Sequence, residues 1–176
     1  MPVSKPLIAV ILGSKSDFPV AEDALRIFEQ FRVPYEFRVL SAHRTPDTLH
    51  EFIRQFEESG GKIFIAVAGA SAHLAGVVAS QTMRPVIGVP VASSPLNGLD
   101  ALLSTVQMPG GIPVATMAVG RAGMKNAVFF ALQVLAIEDL SLKESLVAYR
   151  KEMAQKILTD GEALKKSLEG KADSDF

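Results

Sequence analysis

The sequence predicts an α/β fold, a three-layer sandwich with a central parallel sheet and an added C-terminal helix. Two observations predict it. Short apolar strands recur, and each is followed by a loop and then by a segment with apolar residues at helical spacing. The first, Leu7 to Leu12, is a continuous apolar run that reads as a strand buried on both faces, and strands alternating with amphipathic helices indicate a parallel sheet covered above and below. The chain has 176 residues, which fits one domain spanning 1–176 with enough apolar surface to fold unaided.

The elements follow in order. Leu7 to Leu12 is the first strand, ended by Gly13. Val20, Ala24, Ile27, Phe28 and Phe31 then recur on one helical face, with Pro19 in the first turn. Tyr35 to Leu40 is the second strand. Thr45 stands at an N-cap with Pro46 next, and Leu49, Phe52, Ile53 and Phe56 mark a helix stopped by Ser59-Gly60-Gly61. Lys62 to Val67 is the third strand, followed by a short helix of small residues to about Gln81. Pro85 to Val89 is the fourth, with a long loop from Pro90 to Gly98 and a helix from Leu99 to Val106. Val114 to Val119 reads as the fifth strand. Ala122 to Ala136 is a helix too apolar to face solvent, so it is expected inside the fold or in an interface. The last helix runs from Ser141 to about 168. Ser141-Leu142-Lys143-Glu144 matches a capping box, and Leu142, Leu146, Tyr149, Met153 and Ile157 form one stripe. Gly170 to Phe176 reads as a frayed tail.

Composition excludes several classes. The chain carries 18 basic and 19 acidic residues, a formal net charge of −1, which gives no general attraction for nucleic acid or anionic membrane. It has no Cys, so disulfides, thiolate zinc sites, iron–sulfur clusters and cysteine nucleophiles are ruled out. The longest apolar stretch, Ala127 to Ile137, is interrupted by Gln133 and is far short of the roughly 20 residues of a membrane helix. Met1 to Pro6 leads into a strand without a leader's apolar core or cleavage site, so the expected location is the cytoplasm.

Doubly wound sheets bind ligands beyond the carboxyl ends of their strands, and here the first three strand ends carry polar loops. Gly13-Ser14-Lys15-Ser16-Asp17 offers two hydroxyls at a helix start, a place receptive to phosphate. Asp17 suits a ribose diol, whose two hydroxyls a carboxylate can accept together. Helix capping explains Ser14, Ser16 and Asp17 about equally well. The second loop adds Ser41, His43 and Arg44. The Arg44 guanidinium is a fork for phosphate oxygens, and a histidine such as His43 can give or take a proton near neutral pH. The third loop, Gly69-Ala70-Ser71-Ala72-His73-Leu74, has small residues that let a ligand approach the backbone. His73, on an otherwise apolar segment, reads as a group that orients others. His50, on a helix, reads as a surface residue.

The sequence lacks G-x-x-x-x-G-K-[ST], G-x-G-x-x-G and G-x-S-x-G, and its three histidines show no metal spacing. The expected chemistry is proton transfer in a closed pocket, without metal or cofactor.

Several long motifs in fixed order resemble the PurE family. They are Gly13-Ser14-Lys15-Ser16-Asp17, Ser41-Ala42-His43-Arg44-Thr45-Pro46, Ala72-His73-Leu74, and Pro85-Val86-Ile87-Gly88-Val89-Pro90. Asn97 to Ser104 and Val106 to Thr116 continue the likeness, which spans Leu7 to about Ala136. The resemblance implies a flavodoxin-like sandwich, assembled as a homo-octamer, that acts in purine biosynthesis on a small ribonucleotide. The family has two classes. Class I proteins are N5-carboxyaminoimidazole ribonucleotide mutases, and class II proteins carboxylate aminoimidazole ribonucleotide with free carbon dioxide. Class II usually has Lys after Ser-Ala-His and lacks Ala-His-Leu, so Arg44 and Ala72-His73-Leu74 resemble class I. Ala75 stands where class I usually has Pro, and Ser71 where the residue is usually small and apolar.

Residue by residue, the resemblance implies that Ser14 and Asp17 bind the nucleotide, with Asp17 on the ribose. It places Ser41 and Arg44 at the phosphate and makes His43 the general acid and base. Gly69, Ala70 and Ala72 would line the pocket around the imidazole and carboxylate. Gln107-Met108-Pro109 resembles a loop that closes a neighbouring subunit's site. The rival reading from another class is a flavodoxin-like module that binds a nucleotide or FMN without catalysis.

Overall fold

The computed structural model describes residues 5–172. Their contacts divide into two compact units, one ending at Leu132 and the other beginning at Gln133.

The first unit holds the sheet. Its strands are β1 (Ile8–Leu12), β2 (Tyr35–Val39), β3 (Ile63–Gly69), β4 (Val86–Val91) and β5 (Ala115–Thr116), all parallel, in the order β2-β1-β3-β4-β5. The helices are α1 (Phe18–Phe31), α2 (Pro46–Glu58), α3 (Leu74–Ala79), α4 (Leu99–Val106) and α5 (Arg121–Leu135), whose last turn opens the second unit. Every residue of β1 and β4 is buried, as are the first five of β3. That is the reason these runs carry no polar alternation: both faces are covered.

Register shows which helix covers which face. Ile8, Val10 and Leu12 lie level with Tyr35, Phe37 and Val39. Phe28 of α1 stacks on Tyr35 at 4.6 Å between ring centroids, and Phe18 meets Phe37 edge-on. Helix α1 therefore covers this face, and α5 lies beside it through Phe129 against Phe31 and through Arg121 and Lys125 on Asp23. The opposite face carries Ala9, Ile11, Phe64 and Ala66. They form one apolar cluster with Leu49, Phe52, Ile53 and Phe56 of α2 and Leu74, Ala75 and Val78 of α3. Gly88 keeps this layer close, since a Cβ there would fall 2.4 Å from Thr105 Cγ2 of α4 and 3.3 Å from Ala75 Cβ. Ala75 sits in the first turn of α3, 3% exposed.

Three local expectations change. The fifth strand is two residues, not six. Only Ala115 and Thr116 pair with β4, although Met117 and Gly120 still donate to Gly88 and Pro90. The chain bows out at Ala118, whose carbonyl occupies the space a side chain on Gly123 would take as α5 begins. Thr45 holds the N-cap position of α2 without capping it: its hydroxyl accepts from Ser41 N–H and donates to Ser41 C=O.

The second unit is the end of α5 and the helix α6 (Leu140–Ala172). Here the third change occurs. Asp139, not Ser141, caps the helix, accepting from Leu142 N–H at 3.0 Å and from the Ser141 hydroxyl at 2.9 Å. Leu142 and Leu146 are buried, whereas Met153 and Ile157 of the same stripe are exposed. The helix passes Gly170 as far as Ala172, so only residues 173–176 of the expected frayed tail lie outside the described residues. Among the described residues no helix is long and apolar enough to cross a membrane.

Candidate active site

In this strand order the chain reverses direction across the sheet between β1 and β3, and a crevice opens at their carboxyl ends. A cleft of about 300 Å3 lies there, lined by Gly13, Ser14, Ser16, Asp17, Ser41, Ala42, His43, Arg44, Ala68, Gly69, Ser71, Leu74 and Ser93. That is the small end of the range for small-molecule sites.

The loop after β1 is anchored by Gly13 N–H on Val67 C=O. Ser14 then turns extended and begins a single 3-10 turn, Lys15–Asp17. Asp17 Oδ2 accepts from Ser14 N–H at 2.9 Å, while Ser14 Oγ accepts from the N–H and the hydroxyl of Ser16. Ser14 and Asp17 thus form a reciprocal cap, and both also line the cleft. Oδ1 takes no part in the cap. Asp17 is only 4% exposed. Burial pushes its carboxyl above the ordinary carboxylate range, and the Ser14 N–H and the Arg44 charge offset part of that rise.

The loop after β2 is organised by one hydroxyl. Ser41 Oγ accepts from His43 N–H, Arg44 N–H and Arg44 Nε. Arg44 Nη2 donates to Gly13 C=O at 3.2 Å, tying the second loop to the first. The guanidinium is exposed at the cleft and forms no salt bridge among the described residues.

The loop after β3 turns tightly. Ala70 adopts a left-handed conformation with φ 52°, Ala72 N–H donates to Ala70 C=O, and His73 N–H donates to Ser71 C=O. This turn sets His73 at the start of α3, facing the second loop. Nε2 of His43 lies 2.9 Å from Nδ1 of His73, with the rings edge to face at 79°. One ring N–H donates to the other ring's lone pair, so the tautomer of either ring fixes that of its partner.

The structure brings together Ser14, Ser16, Asp17, Ser41, His43, Arg44, Gly69 and Leu74 in the cleft lining, and adds His73 through His43. Ala70 and Ala72 are not in the lining: Ala70 is turned to solvent and Ala72 is buried at 2% exposure. Ser71 does line the cleft, as does Ser93 from the loop after β4, which sequence reasoning missed. The available signal was position. The small residues Ala92-Ser93-Ser94 follow β4, which pairs with β3, and Gly69 lies level with Val91. Gln107-Met108-Pro109 is not in this lining; Met108 packs toward Gly76 of α3. His50 bonds Gln81 on the protein surface, apart from the cleft. Among the described residues no group of three or more His, Cys, Asp or Glu is placed to hold a metal ion.

A guanidinium, a buried carboxylate, clustered hydroxyls and a paired imidazole can together hold an anionic, hydroxyl-bearing ligand and move a proton on it. The Bacillus subtilis N5-carboxyaminoimidazole ribonucleotide mutase is 47% identical over 160 residues, covering 91% of this chain and 99% of that protein. The mutase of Pyrococcus horikoshii is 52% identical over 157 residues (89% and 88% covered), and that of Escherichia coli 48% over 151 (86% and 89%). A crystal structure of Treponema denticola PurE superposes with a TM-score of 0.83 at 30% identity, covering 91% of this chain and 99% of that one. The model of a family described as AIR carboxylase matches residues 7–156, a span that includes all five strands and every loop of the cleft. The chain belongs to the AIR carboxylase family.

Proposed function

We propose that the protein is an N5-carboxyaminoimidazole ribonucleotide mutase of purine biosynthesis, an isomerase that moves a carboxylate from the exocyclic nitrogen to ring carbon 4. The observation that carries the reading is His43, hydrogen-bonded to His73, on the same 300 Å3 cleft as Arg44 and Asp17. The identity of about half with proteins named as mutases supports the class.

In this reading Arg44, Ser41 and the hydroxyls of Ser14 and Ser16 hold the phosphate, and Asp17 Oδ1 takes the ribose hydroxyls. Protonated His43 gives its proton to the exocyclic nitrogen as the carbon–nitrogen bond breaks and carbon dioxide leaves. The freed amine pushes electron density to ring carbon 4, which attacks the carbon dioxide and forms the new carbon–carbon bond. His43 then removes the proton from carbon 4 and is restored. Atoms and protons balance, so no cofactor enters. Gly69, Ala68 and Ala42, with Ser71 and Ser93, wall the place where carbon dioxide must wait. Small walls let it stay close to the ring.

The working form is a cytoplasmic homo-oligomer, an octamer by resemblance to the family. Support for an assembly comes from α4 and the loop before it, where Leu96, Leu99, Leu103 and Val106 are 61, 55, 47 and 48% exposed. The near-neutral net charge supports a small-molecule partner and not a nucleic acid or membrane.

A two-armed assay tests the activity. One arm supplies the N5-carboxylated ribonucleotide with little bicarbonate; the other supplies aminoimidazole ribonucleotide with high bicarbonate. Fast product formation in the first arm alone is expected, and turnover in the second alone would make the protein a carboxylase. His43→Asn should bind nucleotide and lose turnover by at least about 100-fold; normal turnover in that variant would remove His43 from the chemistry.

A further inference from the structure

The matched family region ends at residue 156, yet α6 continues to Ala172. Every residue from Lys151 to Leu168 is exposed, and Ile157, Leu158, Leu164 and Leu168 are each about 60–70% exposed. An exposed apolar stripe along a helix calls for a partner.

The stripe has a definite period. Ala154, Ile157, Gly161, Leu164 and Leu168 are spaced by three and four in alternation, the a and d positions of two heptads. Ala154 and Gly161 are small and let a second helix come close. The flanking residues identify the occupant and its direction. On this frame Asp160 is at g and Lys165 at e. In a parallel, in-register pair, each g residue faces the e residue five positions later on the other helix. Asp160 of one copy then meets Lys165 of the other, twice by symmetry. Met153 and Leu158 hold the same relation one heptad earlier and extend the apolar seam. An antiparallel pair centred on this stripe would set Asp160 against its own copy.

We propose that residues 154–168 of α6 pair in parallel and in register with the same segment of a second copy of this chain. Two heptads are too short to hold two copies together by themselves, so the contact rests on the assembly proposed above, which brings the segments near each other.

The absence of Cys makes the test clean, because an introduced thiol is the only one present. Full-length Leu168→Cys and Gln155→Cys proteins are oxidised in a glutathione buffer and run on a non-reducing gel, and particle mass is measured by light scattering. Parallel pairing places position 168 beside its own copy and points position 155 away, so Leu168→Cys should give mainly cross-linked dimer and Gln155→Cys little. In the Leu168→Cys background, Asp160→Lys should slow cross-linking about two- to fivefold, the range for exposed ion pairs, and adding Lys165→Asp should restore it. Absent or equal cross-linking in the two single-thiol proteins would overturn the proposal. So would efficient linking of an Ala154→Cys, Leu164→Cys double variant whose single variants fail, since that pattern is antiparallel. Particle mass reports separately on the assembly: a large particle without the Leu168→Cys cross-link refutes the helix pair alone.

Discussion

The substitution Gly69→Ala tests how tightly the floor of the cleft is built. Gly69 is the last residue of β3 and lies level with Val91 of β4. A Cβ there would fall 1.9 Å from Ser93 Oγ, 2.9 Å from Ser93 Cβ and 3.0 Å from Val91 C=O. Rotation of Ser93 relieves the first contact only. The other two involve a Cβ and a backbone carbonyl, so the ends of β3 and β4 must part by about 0.5 Å to restore ordinary contact. Overpacking of this kind costs about 1–3 kcal/mol, and for a chain of this size each kcal/mol lowers Tm by about 2–4 °C. The expected loss in Tm is therefore about 2–12 °C. Ser93 and Ser71 would shift with the floor by about half of the ~1 Å misplacement that costs on the order of 100-fold in rate, so kcat/KM should fall by about tenfold. Calorimetry and kcat/KM on the purified protein measure both. Gly110→Ala is the control, since no atom lies within 4 Å of its Cβ position, and its Tm should stay level or rise slightly. A Gly69→Ala protein that melts with the parent and keeps its kcat/KM would refute the close-packed floor.

Arg44→Lys keeps the charge but cannot contact Ser41 Oγ and Gly13 C=O while also presenting a fork to phosphate; KM for the ribonucleotide should rise about tenfold with kcat nearly unchanged, and an unchanged KM would take Arg44 out of binding. The raised Asp17 carboxyl means the folded chain holds that proton more tightly than the unfolded one. Its favourable share of stability is complete below the ordinary value of 3.8 and is lost as pH rises through the raised value; urea midpoints of parent and Asp17→Asn should diverge across that window, and parallel curves would contradict the burial argument. Asp139 has the opposite sign, because the Leu142 N–H, followed by the Ser141 hydroxyl, holds its carboxyl below the ordinary range. The cap is in force above that range and fails as pH falls through the lowered value, so acid and Asp139→Ala should each fray α6, read as lost helical ellipticity at 222 nm; equal ellipticity in Asp139→Ala and parent would leave the cap without effect.

The sheet was legible because burial on both faces forces unbroken apolar runs, and β1, β3 and β4 are such runs. β5 was overread because Val114 to Val119 is equally apolar, yet only Ala115 and Thr116 pair with β4. The cap at Ser141 was misplaced by two residues because Asp139 and Ser141 are both good caps, and only backbone geometry chooses between them. At the cleft, the polar loops after β1 and β2 announced themselves by residue type. The His43–His73 contact did not, since 30 positions separate the two rings and the meeting of two loops sets the distance. Ser93 stayed hidden because a serine among small loop residues carries no signal until its strand is placed beside β3.

The strand order has a consequence for how activity returns after denaturation. Ile8 pairs with both Tyr35 and Ile63, so the three loops of the cleft meet only after two parallel pairings between distant parts of the chain have closed. Neither pairing can form as a local hairpin, and each must overcome the entropy of a long loop before any contact rewards it. Helical signal from α1 and α2 can therefore recover early in refolding, while the groups that hold a ribonucleotide come together late and at one step. Ligand binding followed in real time would then trace the closing of β1 between β2 and β3, and in a chain without tryptophan the emission of Tyr35 on β2 would report the β2 side of that event alone.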